Sequence, residues 1–115
     1  IANIPYIVSR GVSWFRQMGT EKSPGFKVWA VSGHVNNPGI FEAPLGITMR
    51  ELLDYAGGMR AGRDLKFWLP GGSSVPLLTA EHLDTPLTYE DMAEAGTDAP
   101  SAPSATRRPR PTRRP

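Results

Sequence analysis

Residues 25–97 predict a small α+β fold, and three features of the sequence carry that reading. A run rich in β-branched and aromatic residues, Phe26 to Val35, is followed by a turn and a returning strand, Ile40 to Ala43. The box Thr48-Met-Arg-Glu51 then opens an amphipathic helix. Beyond it, Leu65-Lys-Phe-Trp-Leu69 goes back to strand chemistry and stops at Pro70-Gly-Gly72. Strand-like runs on either side of a segment with helical periodicity mark a sheet packed against a helix.

The elements follow in order. Residues 3–18 predict a helix with Asn3 as N-cap and Pro5 in the first turn, where a missing N–H is no loss. Ile4, Ile7, Val8, Trp14, Phe15 and Met18 form one apolar stripe along it. Gly11 interrupts that stripe and weakens a helix by about 1 kcal/mol relative to Ala. Glu21-Lys-Ser-Pro-Gly25 is a turn. Asn36-Asn-Pro-Gly39 is hairpin chemistry, because Asn and Gly accept positive φ and Pro pre-sets a bend.

In the central helix, Thr48 and Glu51 form a capping box. Met49, Leu52, Leu53 and Ala56 line one face, and Gly57 or Gly58 ends it in a left-handed conformation. Val75 to Leu78 predicts a short fourth strand, placed at an edge by Pro76. Thr88-Tyr-Glu-Asp91 is a second box opening a short acidic helix that ends near Ala95. A hairpin followed by a helix crossing one face of a mixed sheet is the β-grasp pattern.

Composition narrows the chemistry. The 115 residues divide into an N-terminal helix and linker, 1–24, a domain, 25–97, and a tail, 98–115. No run of eighteen apolar residues is available to span a membrane, and no secretory signal opens the chain. The chain has no cysteine, which excludes disulfides and thiolate-held zinc or iron–sulfur clusters within it. That usage is consistent with a reducing compartment.

The net charge of +2 hides two unlike parts. Residues 1–97 carry eight Lys/Arg and ten Asp/Glu, whereas residues 98–115 carry five Arg and one Asp. The tail has no Ile, Leu, Val, Met or aromatic residue, so it is expected to stay disordered. Its arginines would attract nucleic acid or anionic lipid unspecifically.

Each candidate constellation has a structural reading. Gly57-Gly-Met-Arg-Ala-Gly-Arg63 invites comparison with a phosphate loop, but its glycines follow a helix instead of preceding one. They read as a helix stop. Pro70-Gly-Gly-Ser-Ser74 could offer a backbone nest for an anion, although a bend between strands is the simpler reading. His34 and His82 lie in no metal-ligand spacing, and Ser73 lacks the context of a nucleophile.

Glu90, Asp91 and Glu94 read as helix-start charges, not a catalytic pair. Trp14, Trp29 and Trp68, with Phe15, Phe26 and Phe67, read as core or interface rather than a platform for bases. The sequence therefore assigns no catalytic, cofactor-binding or metal-ligating residue.

Several spaced motifs resemble one family. They are Ala2-Asn-Ile-Pro5, Gly19-Thr-Glu-Lys-Ser-Pro-Gly25, Ser32-Gly-His-Val35, Asn37-Pro-Gly39, Leu52 to Gly58 and Pro70-Gly-Gly-Ser-Ser74. Together they resemble the flavin-bearing, NADH-binding subunit of respiratory complex I, an NADH-quinone oxidoreductase. The resemblance implies a ubiquitin-like, soluble-ligand-binding β-grasp (SLBB) domain at the centre of the chain.

It also implies a parent that binds FMN, NADH and a 4Fe-4S cluster, works with the other peripheral-arm subunits and sits on the cytoplasmic face of the inner membrane. In the family those cofactor sites lie outside the stretch that matches, so the chain reads as a structural fragment with no cofactor of its own, not catalytic alone. Diaphorase subunits of formate dehydrogenases and NAD-linked hydrogenases share much of the pattern and stay open as parents. A stand-alone β-grasp module for a small ligand, and a basic-tail adaptor for nucleic acid or membrane, are the remaining alternatives. After Gly96 the family pattern ends at Asp98-Ala-Pro100, and a shifted reading frame is the expected source of residues 98–115.

Overall fold

The computed structural model describes residues 1–71 and 75–97. Two strands make an antiparallel pair, β1 (Phe26–Val31) and β2 (Gly39–Pro44). Trp29 stands opposite Phe41, Lys27 opposite Ala43 and Val31 opposite Gly39. Because side chains alternate across a strand, Val31 and Ala43 point into the core with Trp29 and Phe41 packed against it, while Val28 and Ile40 face outward. The indole Nε1 of Trp29 donates to the Ala43 carbonyl oxygen at 3.2 Å, which fixes the ring across the pair.

The first strand is shorter than the sequence predicts. It ends at Val31, and Val35 forms an isolated antiparallel bridge with Met59 instead. The connection 32–38 is therefore a lobe, not a tight hairpin. Its left-handed residue is Gly33, and neither Asn36 nor Asn37 has positive φ. The asparagines are used for hydrogen bonding: Asn36 N–H donates to the Gly58 carbonyl at 3.0 Å and Asn37 N–H to the Ala56 carbonyl at 2.9 Å.

Helix α3 (Met49–Tyr55), third after α1 (Ile4–Arg10) and α2 (Val12–Arg16), lies over this lobe. The capping box is complete: Thr48 Oγ1 accepts from Glu51 N–H at 3.2 Å and Glu51 Oε2 accepts from Thr48 N–H at 2.8 Å. Leu52, Leu53 and Ala56 are buried with Val31, Val35, Ala43 and Ile47 in one cluster. Burying a leucine side chain stabilises by about 1.5–3 kcal/mol, so this face holds the helix in place.

The C-terminal half closes the other side of the cluster. Trp68 and Leu78 form a single antiparallel bridge, with N–H to carbonyl distances of 2.8 and 2.9 Å, and both side chains are buried. The two strands predicted at 65–69 and 75–78 are thus reduced to one bonded pair, and the described sheet has two strands, not four. Pro70 and Pro76 flank that pair, and prolines cannot donate to a ladder. A 3₁₀ turn, Ala80–His82, and the short helix α4 (Tyr89–Met92) follow. Between them Leu87 N–H donates to Ile47 and Gly46 N–H to Leu87, which straps the segment 83–88 against the start of α3.

The predicted helix over 3–18 is broken. Gly11 adopts φ 88° and ψ 160°, so α1 and α2 are separate helices. Asn3 makes no side-chain cap. None of the expected stripe is buried: Ile4 and Val8 are exposed, and Trp14 meets Tyr6, centroids 6.4 Å apart, with Arg10 over both rings. Phe15 turns instead onto Phe26, centroids 6.3 Å apart. That packing needs Gly25, whose φ is +98° and where a Cβ would lie 2.2 Å from the Phe15 ring.

Replacing Thr48 with Ala should lower stability by about 0.5–2 kcal/mol through loss of the cap, read as a fall in urea midpoint at constant slope. Gly25→Ala should be worse than a simple left-handed penalty of about 1–2 kcal/mol, because Phe15 must also leave its seat. Near-ultraviolet circular dichroism should report the displaced ring.

Candidate functional site

A cleft of about 690 Å³ lies between β1 and the segment 63–70. Its floor is apolar, formed by Trp29, Val31, Leu53 and Trp68. The floor belongs to the core already described, and its position follows from the early end of β1 and from the failure of 65–69 to join the sheet. Polar groups at the mouth are His34, Arg63, Asp64 and Lys66. A second, smaller hollow of about 230 Å³ lies beside Lys27 and Tyr89. There the Lys27 ammonium sits 5.2 Å from the Trp29 ring centroid and 5.8 Å from that of Tyr89, joining β1 to α4 through cation–π contact.

Several titratable groups are engaged in holding the fold. Glu90 accepts from Ser23 Oγ at 2.5 Å and from Thr20 Oγ1 at 3.2 Å, and Tyr89 N–H donates to Ser23 Oγ at 3.4 Å. These bonds clasp the turn before β1 to the first residues of α4. Hydrogen bonding from Ser23, aided by the backbone at Glu90, holds the Glu90 carboxyl below the ordinary carboxylate range. Asp91 accepts from the hydroxyl of Thr88, whose Oγ1 in turn accepts Asp91 N–H at 3.0 Å. The second box is thus half formed, since Thr88 N–H goes to the Pro86 carbonyl. Arg50 and Asp84 form a two-pronged surface pair at 2.6 and 2.9 Å.

The glycines after α3 act as the helix stop that the sequence implies. Gly57 N–H donates to Asp54 and Gly58 N–H to Leu53, so both amides serve carbonyls of α3. Those amides cannot also cradle a phosphate. His34 is exposed in the lobe after β1, while His82 sits in the 3₁₀ turn with Nδ1 3.4 Å from Thr79 Oγ1. Among the described residues no three His, Asp or Glu side chains are grouped to hold a metal ion.

Trp68 is buried with its Nε1 donating to the Thr79 carbonyl, and Trp29 is packed on the core, so neither is a platform for bases. The anion nest weighed at 70–74, Ser73 with it, and the basic tail lie largely outside the described residues. Sequence reasoning missed the Ser23–Glu90 clasp and the cleft. The clasp joins positions 67 apart in the chain, and no periodicity signals such a pairing.

The clasp has a defined pH dependence. A carboxyl whose folded pKa is depressed contributes stability above its unfolded value, and that contribution is lost as pH falls through the folded value. Glu90→Gln should therefore lower Tm at neutral pH, and the difference from the native chain should shrink as pH drops below about 4.5, the ordinary value for glutamate. Thermal melts between pH 3 and 7 decide this; a difference independent of pH would remove the carboxylate from the account.

Comparison with known proteins bears on the resemblance drawn from the motifs. The SLBB domain family matches residues 28–77, which run from within β1 through β2 and α3 to the Trp68 bridge segment. The F subunit of NADH-quinone oxidoreductase from Mycobacterium tuberculosis is 67% identical over 96 residues, covering 84% of this chain and 22% of that protein. The protein of the same name from Streptomyces coelicolor is 62% identical over 96 residues, and that of Escherichia coli 45% over 97. A chain of a solved NAD⁺-reducing [NiFe]-hydrogenase superposes with a TM-score of 0.65 at 35% identity, over 76% of this chain and 15% of that one. The chain spans about a fifth of the length of the curated relatives it matches. The resemblance drawn from the motifs is borne out: over a stretch containing an SLBB domain, this chain is a relative of the F subunit of NADH-quinone oxidoreductase.

Proposed function

We propose that residues 1–97 serve as a structural β-grasp module in the NADH-oxidising flavoprotein subunit of an NADH-quinone oxidoreductase. The identity of 67% over 96 residues to an F subunit of that enzyme carries this reading. In such an enzyme a hydride passes from NADH to a flavin, and electrons then move singly through iron–sulfur clusters toward quinone. The protein's part in that chemistry is binding, orientation and electrostatics around its cofactors.

Among the described residues, the groups weighed above do not fit those cofactors. Four-iron clusters are held by thiolates, and this chain has no cysteine. A flavin or dinucleotide phosphate needs free amides at a helix start, whereas the amides of Gly57 and Gly58 are bonded to α3. Glu90 and Asp91 are committed to Ser23 and Thr88. The module's work is then to hold a shape: it presents surface to the rest of its own polypeptide and to the other peripheral-arm subunits, on the cytoplasmic side of the membrane. Among the described residues no helix is long and apolar enough to cross a membrane.

The diaphorase chain of an NAD-linked hydrogenase enters as a relative at lower identity, and the quinone oxidoreductase reading is preferred over it. The purified chain, mixed with NADH, free FMN and ferricyanide, should give no saturable NADH oxidation above the flavin blank. Turnover that saturates with NADH would overturn the assignment of a scaffold role.

A further inference from the structure

We propose that residues 1–24 form an arm that swings away from the rest of the chain as one unit about Gly25, with the Glu90 carboxylate as its latch. Three observations carry this, and none of them depends on the proposed parent enzyme.

The first is where the core draws its residues. Among the described residues, the members of the buried apolar cluster lie between Val31 and Leu87, and the partly buried side chains packed on it run from Trp29 to Met92. Helices α1 and α2 bury no residue, and Ile4, Tyr6, Val8 and Val12 are each more than half exposed. Departure of the arm therefore leaves that cluster intact.

The second is that the arm is tied to itself. Arg10 lies 5.9 Å from the Tyr6 ring centroid and 5.1 Å from that of Trp14. The Arg16 guanidinium donates to the Glu21 carbonyl at 3.1 Å, and Ser23 N–H donates to Thr20 Oγ1 at 3.0 Å. Thr20 N–H in turn donates to the Ser23 carbonyl at 2.9 Å. These bonds travel with the arm. The pivot is Gly25, at φ +98°, where the absence of a Cβ lets the backbone turn to other conformations at little steric cost.

The third is how the arm is fastened. The Phe15 ring meets Phe26 across 6.3 Å, and the clasp makes the other seat. One carboxylate, that of Glu90, accepts from both Ser23 Oγ and Thr20 Oγ1, while Ser23 Oγ accepts the Tyr89 N–H. Ser23 is only 2% exposed. A partial withdrawal would leave its hydroxyl away from water without an acceptor, so the seat opens fully or not at all. Opening uncovers Phe26 and the Glu90 carboxylate and re-aims the exposed apolar side chains of α1, while β1, β2 and α3 stay folded.

The test is amide hydrogen exchange of the full chain, followed residue by residue, because each amide reports the least costly opening that frees it. Tyr89 reports the seat of the arm; Ala56 and Leu78, bonded to Leu52 and Trp68, report the core. In the native chain Tyr89 should exchange at least tenfold faster than Ala56 and Leu78. Ile47→Val, a mild loosening of the core, should speed Ala56 and Leu78 severalfold and leave Tyr89 unchanged. Glu90→Ala should speed Tyr89 about tenfold, and so should Phe15→Ala, although its ring pairs with Phe26.

Equal protection of Tyr89, Ala56 and Leu78 would overturn the proposal. So would an equal response of all three to Ile47→Val, which would make arm and core one cooperative unit. Unchanged Tyr89 exchange in Phe15→Ala would overturn it too, since the clasp would then open without the arm.

Discussion

The seating of α3 on the lobe after β1 is the contact on which the remaining structure rests. Ala56 has no exposed surface there, and its carbonyl accepts the Asn37 amide. Beside it, the carbonyls of Gly57 and Gly58 accept from the side chain and main chain of Asn36. The carbonyls of α3's last turn are taken by Ala56, Gly57 and Gly58, and the lobe supplies donors to the carbonyls that follow. Because the two backbones bond directly, a larger side chain at position 56 would separate them, and overpacked sites of this kind lose about 1–3 kcal/mol.

From that seat the core grows in one direction. Leu52 and Leu53 meet Val31, Val35 and Ala43 from the hairpin side, and Trp68, Leu78 and Leu87 close the group from the C-terminal side. The C-terminal side is held by few and long-range bonds: Leu87 to Ile47, Arg50 N–H to Leu83, and the Ser23–Glu90 clasp. Small domains have modest margins of stability, so such straps matter more than their number implies. The clasp also occupies the carboxylate of Glu90.

Among the described residues, β1 is paired on one side only, with β2. An exposed strand edge invites pairing with another chain, and proteins commonly guard such edges with charge or cover. Here Lys27 is folded onto Trp29 and Tyr89, so the charge nearest the start of β1 is held over rings. The apolar cleft beside β1 carries Arg63 and Lys66 at its rim.

Local chemistry made much of this legible in advance. The two strands, the capping box at Thr48 and the helix stop at Gly57 and Gly58 depend on neighbours within a few residues, and each appears where local chemistry placed it, although β1 ends four residues early. The motifs also carried the relationship to the NADH-quinone oxidoreductase family, since they are spaced residues and need no coordinates. Decisions made across the chain were not legible. Whether Gly11 bends or breaks a helix depends on whether its apolar face finds a partner, and here Phe15 found Phe26 while Val8 stays exposed. Whether 65–69 pairs with β1 depends on edge geometry and on Pro70 and Pro76, and the result is a single bridge and a cleft. Sequence by itself set the local conformations and the lineage, because these rest on short-range sterics and residue identity. Only the tertiary structure decided which segments pair and which carboxylates are tied down, because those outcomes require atoms far apart in the chain to meet.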